Sequence, residues 1–220
     1  MNSRGKGLAV KLKGEKTRWW WVRHAPVPVV GKIVYGRHDV ECDCSNTPVF
    51  AAQAKHLPEG AVVLTSGLSR TRLTLEALGQ CGYRYDTATV ITEPAFEERF
   101  FGDWEGLTWD EIEAGDPGAP QRFWDDPYGF RPPGGGENAF DHAARMQEAV
   151  DRISAKFPER DVVAVAHAGS IRAQLANVLN LPHIDAAVLD IDFVSITRID
   201  HYHGELNGIA RIGAVNVLHV

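Results

Sequence analysis

The chain has 220 residues, with 23 Lys and Arg against 29 Asp and Glu, a formal net charge of −6 at pH 7. That length suits one large α/β unit that buries roughly 70% of its unfolded surface, so a core needs no disulfide or metal staple. The acidic balance argues against bulk nucleic-acid binding, and no apolar run approaches the ~20 residues of a membrane span.

Residues 1–17 carry five Lys or Arg but lack the apolar centre of a signal peptide. They read as a flexible tail ahead of a single unit, 18–220, in a cytoplasmic protein. Arg18 to Arg23 (RWWWVR) is short and apolar enough for a strand buried on both faces. Residues 25–46 form a Pro-, Gly- and Asp-rich loop. Thr47-Pro48 offers an N-cap and a proline at N1 for a helix to about Leu57. Ala61–Thr65 is a second buried strand, followed by a helix from about Ser69 to Leu78 that Gly79 and Gly82 end. Ala88–Ile91 is a short strand.

Residues 94–137 change texture and read as a cap inserted over the sheet, with Thr108 and Glu111 forming a capping box. Asn138 caps the longest helix, to about Phe157, with Phe140, Ala143, Met146, Val150, Ile153 and Phe157 as its apolar stripe. Val162–Ala166 is a third buried strand and Ser170–Leu179 a helix. Phe193–Ile199 and Ile209–Leu218 form a terminal antiparallel hairpin about a His-Gly-Glu turn, with His201 and His203 exposed. Trp19–Trp21 and Trp104 belong to the core.

Cys42, Cys44 and Cys81 are an odd number and read as reduced thiols. Cys42 and Cys44, with His38 and Asp39 nearby, are too little for a metal site, and neither metal nor cofactor is expected.

Strands and helices in alternation, with strands too apolar for a one-sided sheet, predict an α/β three-layer sandwich. Its sheet is mostly parallel, with helices on both faces and the inserted cap. Ligands of such sheets sit beyond the carboxyl ends of the strands. There the chain places Arg23-His24, Ser66 to Arg70, and His167 to Ser170. Two histidines and two arginines thus reach one edge from three segments. Arginine forks match phosphoryl oxygens, glycines let backbone N–H groups approach an anion, and neutral imidazole can accept a phosphoryl group without a metal. A proton donor for the leaving oxygen is still needed, and Glu97 and Glu98 lie in the right region.

Five segments in order carry a family resemblance. Val22-Arg23-His24-Ala25 resembles the R-H-G signature of the histidine phosphatase (phosphoglycerate mutase-like) superfamily. Thr65 to Thr74 is similar to its S-P-L-x-R-A-x-x-T segment, and Phe96 to Gly106 to its L-x-E-x-x-F-G-x-W-E-G stretch. Pro133 to Asn138 resembles P-G-G-E-S with an extra glycine, and Val165 to Arg172 resembles V-S-H-G-G-x-I-R. Tyr35 to Val40 resembles the branch that includes the α-ribazole phosphatases of cobalamin synthesis.

The resemblance implies His24 as nucleophile, Arg23, Arg70 and His167 as phosphate ligands, and Glu98, four residues before Gly102, as proton donor. Arg37, His38 and Glu137 are candidates for the substrate mouth. Ala25 and Ala168 replace glycines, Gly67 replaces a proline, and Val27 and Val30 replace a usual Thr and Asn.

The expected activity is metal-independent hydrolysis of small phosphomonoesters, α-ribazole 5′-phosphate among them. The partner is a small phosphorylated molecule, with no nucleic acid or membrane, and a homodimer is left open. The alternatives are a phosphoglycerate mutase-type phosphotransferase and a catalytically silent phospho-ligand or protein-binding module.

Overall fold

In the computed structural model, residues 14–29, 31–182, 185–204 and 208–219 are described. Most of the N-terminal segment, Val30 and the last residue of the His-Gly-Glu turn therefore lie outside the described residues. Among those described, the strands are β1 (Lys16–Arg23), β2 (Val62–Thr65), β3 (Ile91–Thr92), β4 (Asp161–Ala166), β5 (Ile196–Tyr202) and β6 (Ala210–Val217). The helices are α1 (Thr47–Ala54), α2 (Ser69–Gln80), α3 (Trp109–Gly115), α4 (Ala119–Asp125), α5 (Ala139–Lys156) and α6 (Ala168–Leu179).

The sheet runs β3-β2-β4-β1-β5-β6. β3, β2, β4 and β1 pair in parallel, and β5 and β6 add an antiparallel hairpin at one side. Alternation along β1 and β4 sorts the core into two layers. Trp19, Trp21, Val162, Ala164 and Ala166 face α5 and α6, while Val22, Val163 and Val165 face α1 and α2. The chain is thus a three-layer α/β sandwich. Trp19 and Trp21 stack at 5.0 Å, and Trp19 Nε1 donates to Ser154 Oγ at 2.9 Å, so its polar atom is satisfied inside the core.

Several elements differ from the sequence reading, each for a physical reason. β1 begins at Lys16, inside the expected tail, because Lys16 and Thr17 pair with Tyr202 and His201 of β5. Asn46, not Thr47, occupies the cap of α1, and that helix stops at Ala54, short of Leu57. Gly79 lies within α2, and the turn follows at Gly82 with φ +107°. The expected strand over Ala88–Ile91 is a 3₁₀ turn at Thr87–Thr89 followed by only two paired residues, since β2 offers β3 a short partner. Helix α4 lies inside the region expected to be a cap; it has no side-chain cap and starts after Gly118 at φ +81°, with Pro120 in its first turn. The stripe on α5 runs through His142, Met146, Ala149, Val150 and Ile153, leaving Phe140 56% exposed. His201 and His203 are half-buried rather than exposed, and His203 Nε2 lies 2.8 Å from Thr17 Oγ1.

Candidate active site

β1 and β4 end side by side, Arg23 opposite Ala166, and the next residue of each is a histidine. His24 is 1% exposed; its N–H donates to Ala166 O at 3.0 Å. Its Nδ1 lies 2.7 Å from Ala25 O. A carbonyl can only accept, so Nδ1 carries the ring proton and Nε2 keeps a bare lone pair. Burial, then the charge of Arg70, pushes His24 down to about 3, so this tautomer is neutral across the working pH range.

His167 is the residue before α6, its ring 5.1 Å from that of His24. Arg70 Nε donates to His167 Nδ1 at 3.2 Å; arginine cannot accept, so His167 carries its proton on Nε2, which donates to Ser66 Oγ at 2.9 Å. The chain continues through Thr71 Oγ1 at 3.1 Å to Leu68 O, fixing the ring of His167 in one orientation. Burial and the Arg70 and His24 neighbours hold His167 well below its ordinary pKa. Arg70, fully buried near the start of α2, also bonds Gly36 O at 2.5 Å and His38 O at 2.9 Å.

Arg23 leaves the sheet end toward Phe193, its guanidinium carbon 3.6 Å from the ring centre, and bonds Ile191 O at 2.5 Å. Its Nε is buried and has no hydrogen-bond partner among the described residues. A buried unpaired donor on a cation costs stability unless an anion arrives to meet it. The N-cap residues of α2 and α6 make no side-chain cap bond, and carboxylates from elsewhere take that place: Ser69 N donates to Asp39 Oδ1 at 2.7 Å at the start of α2.

Glu98 closes the site. Its carboxylate accepts from Gly169 N and Arg99 N, both at 3.0 Å, which makes it the external cap of α6. Burial raises its pKa, but His142, these two N–H groups and Arg70 together outweigh burial and hold it below the ordinary carboxylate value. Gly169 is a glycine for a steric reason: a Cβ there would fall on the Glu98 carboxylate, far inside contact distance. Glu97 points elsewhere, its Oε2 3.3 Å from Arg37 Nε.

The structure thus brings Arg23, His24, Arg70, His167 and Glu98 together. Arg37, His38 and Glu137 are placed differently. Arg37 and Glu137 pair with each other at 2.7 Å, and Glu137 is further held by Arg145. His38 is exposed and contributes its backbone carbonyl to Arg70. None of the three lines the cleft beside Glu98, which has a volume of about 540 Å³.

That cleft runs from Arg23, Tyr35 and Glu98 to an aromatic wall of Phe101, Trp109, Phe123 and Trp124. Residues 94–137 supply that wall, and Trp104, 3% exposed, anchors it from below. Sequence reasoning missed Tyr35 as an Arg23 partner, Ser66 as the orienter of His167, and His142 beside Glu98. A legible signal existed for His142 alone: it stands four residues before Met146 on the stripe of α5.

A family model for the histidine phosphatase superfamily (branch 1) matches residues 19–212. The chain belongs to this superfamily. The glucosyl-3-phosphoglycerate phosphatase of Mycobacterium tuberculosis is 34% identical over 164 residues, 70% of each chain. The metal-independent phosphoserine phosphatase of Arabidopsis thaliana is 34% identical over 171 residues, 74% of this chain and 69% of that one. The native structure of the mycobacterial glucosyl-3-phosphoglycerate phosphatase aligns over 92% of this chain and 99% of that one, with TM-score 0.75 and 28% identity. The α-ribazole phosphatase of Shigella flexneri shares the fold, with TM-score 0.74 over 91% and 96% of the two chains at 19% identity.

The departures from the histidine phosphatase pattern have structural accounts in most places. Ala25 is fully buried, and its N–H donates to Thr74 Oγ1 at 2.7 Å, so its methyl packs away from solvent. Ala168 lines the cleft. Gly67 takes φ +95°, which proline cannot adopt, so this turn is built differently from a proline turn. Val27 is buried and apolar, consistent with the loss of a polar contact there; Val30 lies outside the described residues.

Proposed function

We propose that this histidine phosphatase hydrolyses small phosphomonoesters through a phosphohistidine on His24. The observation that carries the reading is the protonation pattern at the sheet edge. His24 is neutral, its proton is held on Nδ1 by Ala25 O, and its bare Nε2 has no partner among the described residues. The flanking cations are Arg23, with an unmet Nε–H, and Arg70. These suit the three equatorial oxygens of a transferring phosphoryl group.

In the first step the Nε2 lone pair attacks phosphorus, the ester P–O bond breaks, and Glu98 gives its proton to the departing oxygen. In the second step water attacks the phosphohistidine as Glu98 takes a water proton. The P–N bond then breaks and inorganic phosphate leaves. His167, its two ring nitrogens engaged by Arg70 and Ser66, holds the Arg70 guanidinium in place beside the His24 ring. No step requires a metal.

In this reading residues 18–220 work as one unit, with 94–137 as a cap whose aromatic wall meets the leaving group. The substrate panel is set by the relatives and the fold likeness: glucosyl-3-phosphoglycerate, phosphoserine and α-ribazole 5′-phosphate. Labelled substrate should leave acid-labile, base-stable phosphate on the protein, and His24→Ala should abolish it. Label that persists in His24→Ala would overturn the assignment.

A further inference from the structure

Arg172 lies on the face of α6 that lines the cleft, with Ala168, Gly169 and Ala173. Its Nε donates to Leu189 O at 2.8 Å, which anchors the stem, and neither Nη group has a hydrogen-bond partner among the described residues. Among the described residues no carboxylate lies within ion-pair distance of it. The other arginines around the cleft are occupied. Arg99 donates to Glu137 O, Pro127 O and Phe130 O at 2.6–2.8 Å, and Arg145 is held by Glu137. Arg23 belongs to the phosphate end, and the charge of Arg172 works against it. Arg23, Arg99 and Arg172 of the cleft all lack a carboxylate partner among the described residues, but only Arg172 combines that with two unengaged Nη groups away from the phosphate end.

We propose that Arg172 is a second anion subsite, and that the preferred substrate carries a carboxylate on its leaving group. This rests on the phosphatase reading above, since it assumes the phosphoryl group sits at His24. The geometry is set by the helix. Gly169 N holds the Glu98 carboxylate that protonates the leaving oxygen. Arg172 is about one turn, roughly 5 Å, further along α6 on the same side. A carboxylate a few bonds from the leaving oxygen reaches it, while the rest of the leaving group meets Trp109 and Phe123. A carboxylate is favoured over a second phosphate because one free planar fork with a single charge matches a planar monoanion bidentately.

The test compares 3-phosphoglycerate with glycerol 3-phosphate, which differ only in carboxylate against hydroxymethyl. Wild-type kcat/KM should favour 3-phosphoglycerate by about 10- to 100-fold, the range for hydrogen bonds to a charged group. Arg172→Gln should bring that ratio within about threefold of one, by raising KM for 3-phosphoglycerate, and Arg172→Lys should keep part of the preference. A purely structural role would lower both substrates by one factor and leave the ratio unchanged, which would overturn the assignment. So would a wild-type ratio near one. Calorimetric Kd values for both ligands on His24→Ala protein give the same ratio without turnover. Failure to turn over any phosphomonoester, p-nitrophenyl phosphate included, would therefore defeat the hydrolase reading alone. A Kd ratio near one would defeat the Arg172 assignment alone.

Discussion

Glu98 is the residue on which the chemistry can be tested most sharply, because its environment sets two demands against each other. The N–H groups of Gly169 and Arg99 that aim its carboxylate also favour its ionised form. With its pKa held below the ordinary value, free Glu98 carries no proton near neutral pH. The proton must therefore arrive with the substrate. A phosphomonoester loses its second proton near pH 6, so the monoanion can enter and pass that proton to Glu98, whose pKa rises beside the resulting dianion.

Two consequences follow. For an alkyl phosphate, kcat/KM should fall about tenfold per pH unit above roughly pH 6. For p-nitrophenyl phosphate, whose leaving group departs without a proton, it should stay nearly flat. Glu98→Gln should then lower alkyl phosphate hydrolysis by ~10²–10⁴-fold and flatten its alkaline limb, while affecting the aryl ester much less. Gly169→Ala should reproduce this selectivity without touching the carboxyl group itself. The added Cβ displaces the carboxylate by about 1 Å or more, and a misplacement of that size costs ~10²-fold. Glu97→Gln, which removes only an Arg37 partner, should change neither substrate. Initial rates on the two esters across pH 4–9 decide the matter. Equal losses on both esters in Glu98→Gln would refute the proton-donor role and leave Glu98 as a mere cap of α6.

Two further outcomes are expected. Activity should persist in excess chelator, because the anchors are imidazole and guanidinium nitrogens and Glu98 is already bonded to two N–H groups; loss in chelator with recovery on adding Mg²⁺ or Zn²⁺ would point to a different chemistry. Stability should decline below about pH 6.5, since His24, His142 and His167 are buried with folded pKa values of about 3, about 4 and well below the ordinary one. Protonation then favours the unfolded chain from pH 6.5 down to roughly pH 4, at up to about 1.4 kcal/mol per pH unit for each histidine. Denaturant midpoints that stay level between pH 7 and pH 5 would contradict this.

The parts of the molecule that were legible in sequence are those fixed by burial and chain order. Val162–Ala166 is apolar on both faces because it is the inner strand between β2 and β1, and Arg23-His24 and His167 follow strand ends as the crevice rule requires. Elements failed where pairing partners decided the outcome. Ala88–Ile91 has strand composition, yet β2 presents it only Leu64 and Thr65. His201 has the alternation of an exposed hairpin, yet β1 and the neighbouring strands bury most of it.

At the site, sequence gave residue types but not the direction of any hydrogen bond, and the chemistry depends on direction. Two neutral histidines 5.1 Å apart carry their protons on opposite ring nitrogens: Nδ1 in His24, because Ala25 O can only accept, and Nε2 in His167, because Arg70 can only donate. Exchanging those neighbours would exchange the roles of the rings. On the proposed mechanism the nucleophile is thus chosen less by the histidines than by a backbone carbonyl and an arginine. That is why Arg70→Lys, which removes the Nε–H facing His167, perturbs more than phosphate affinity: it frees the second ring to take the other tautomer.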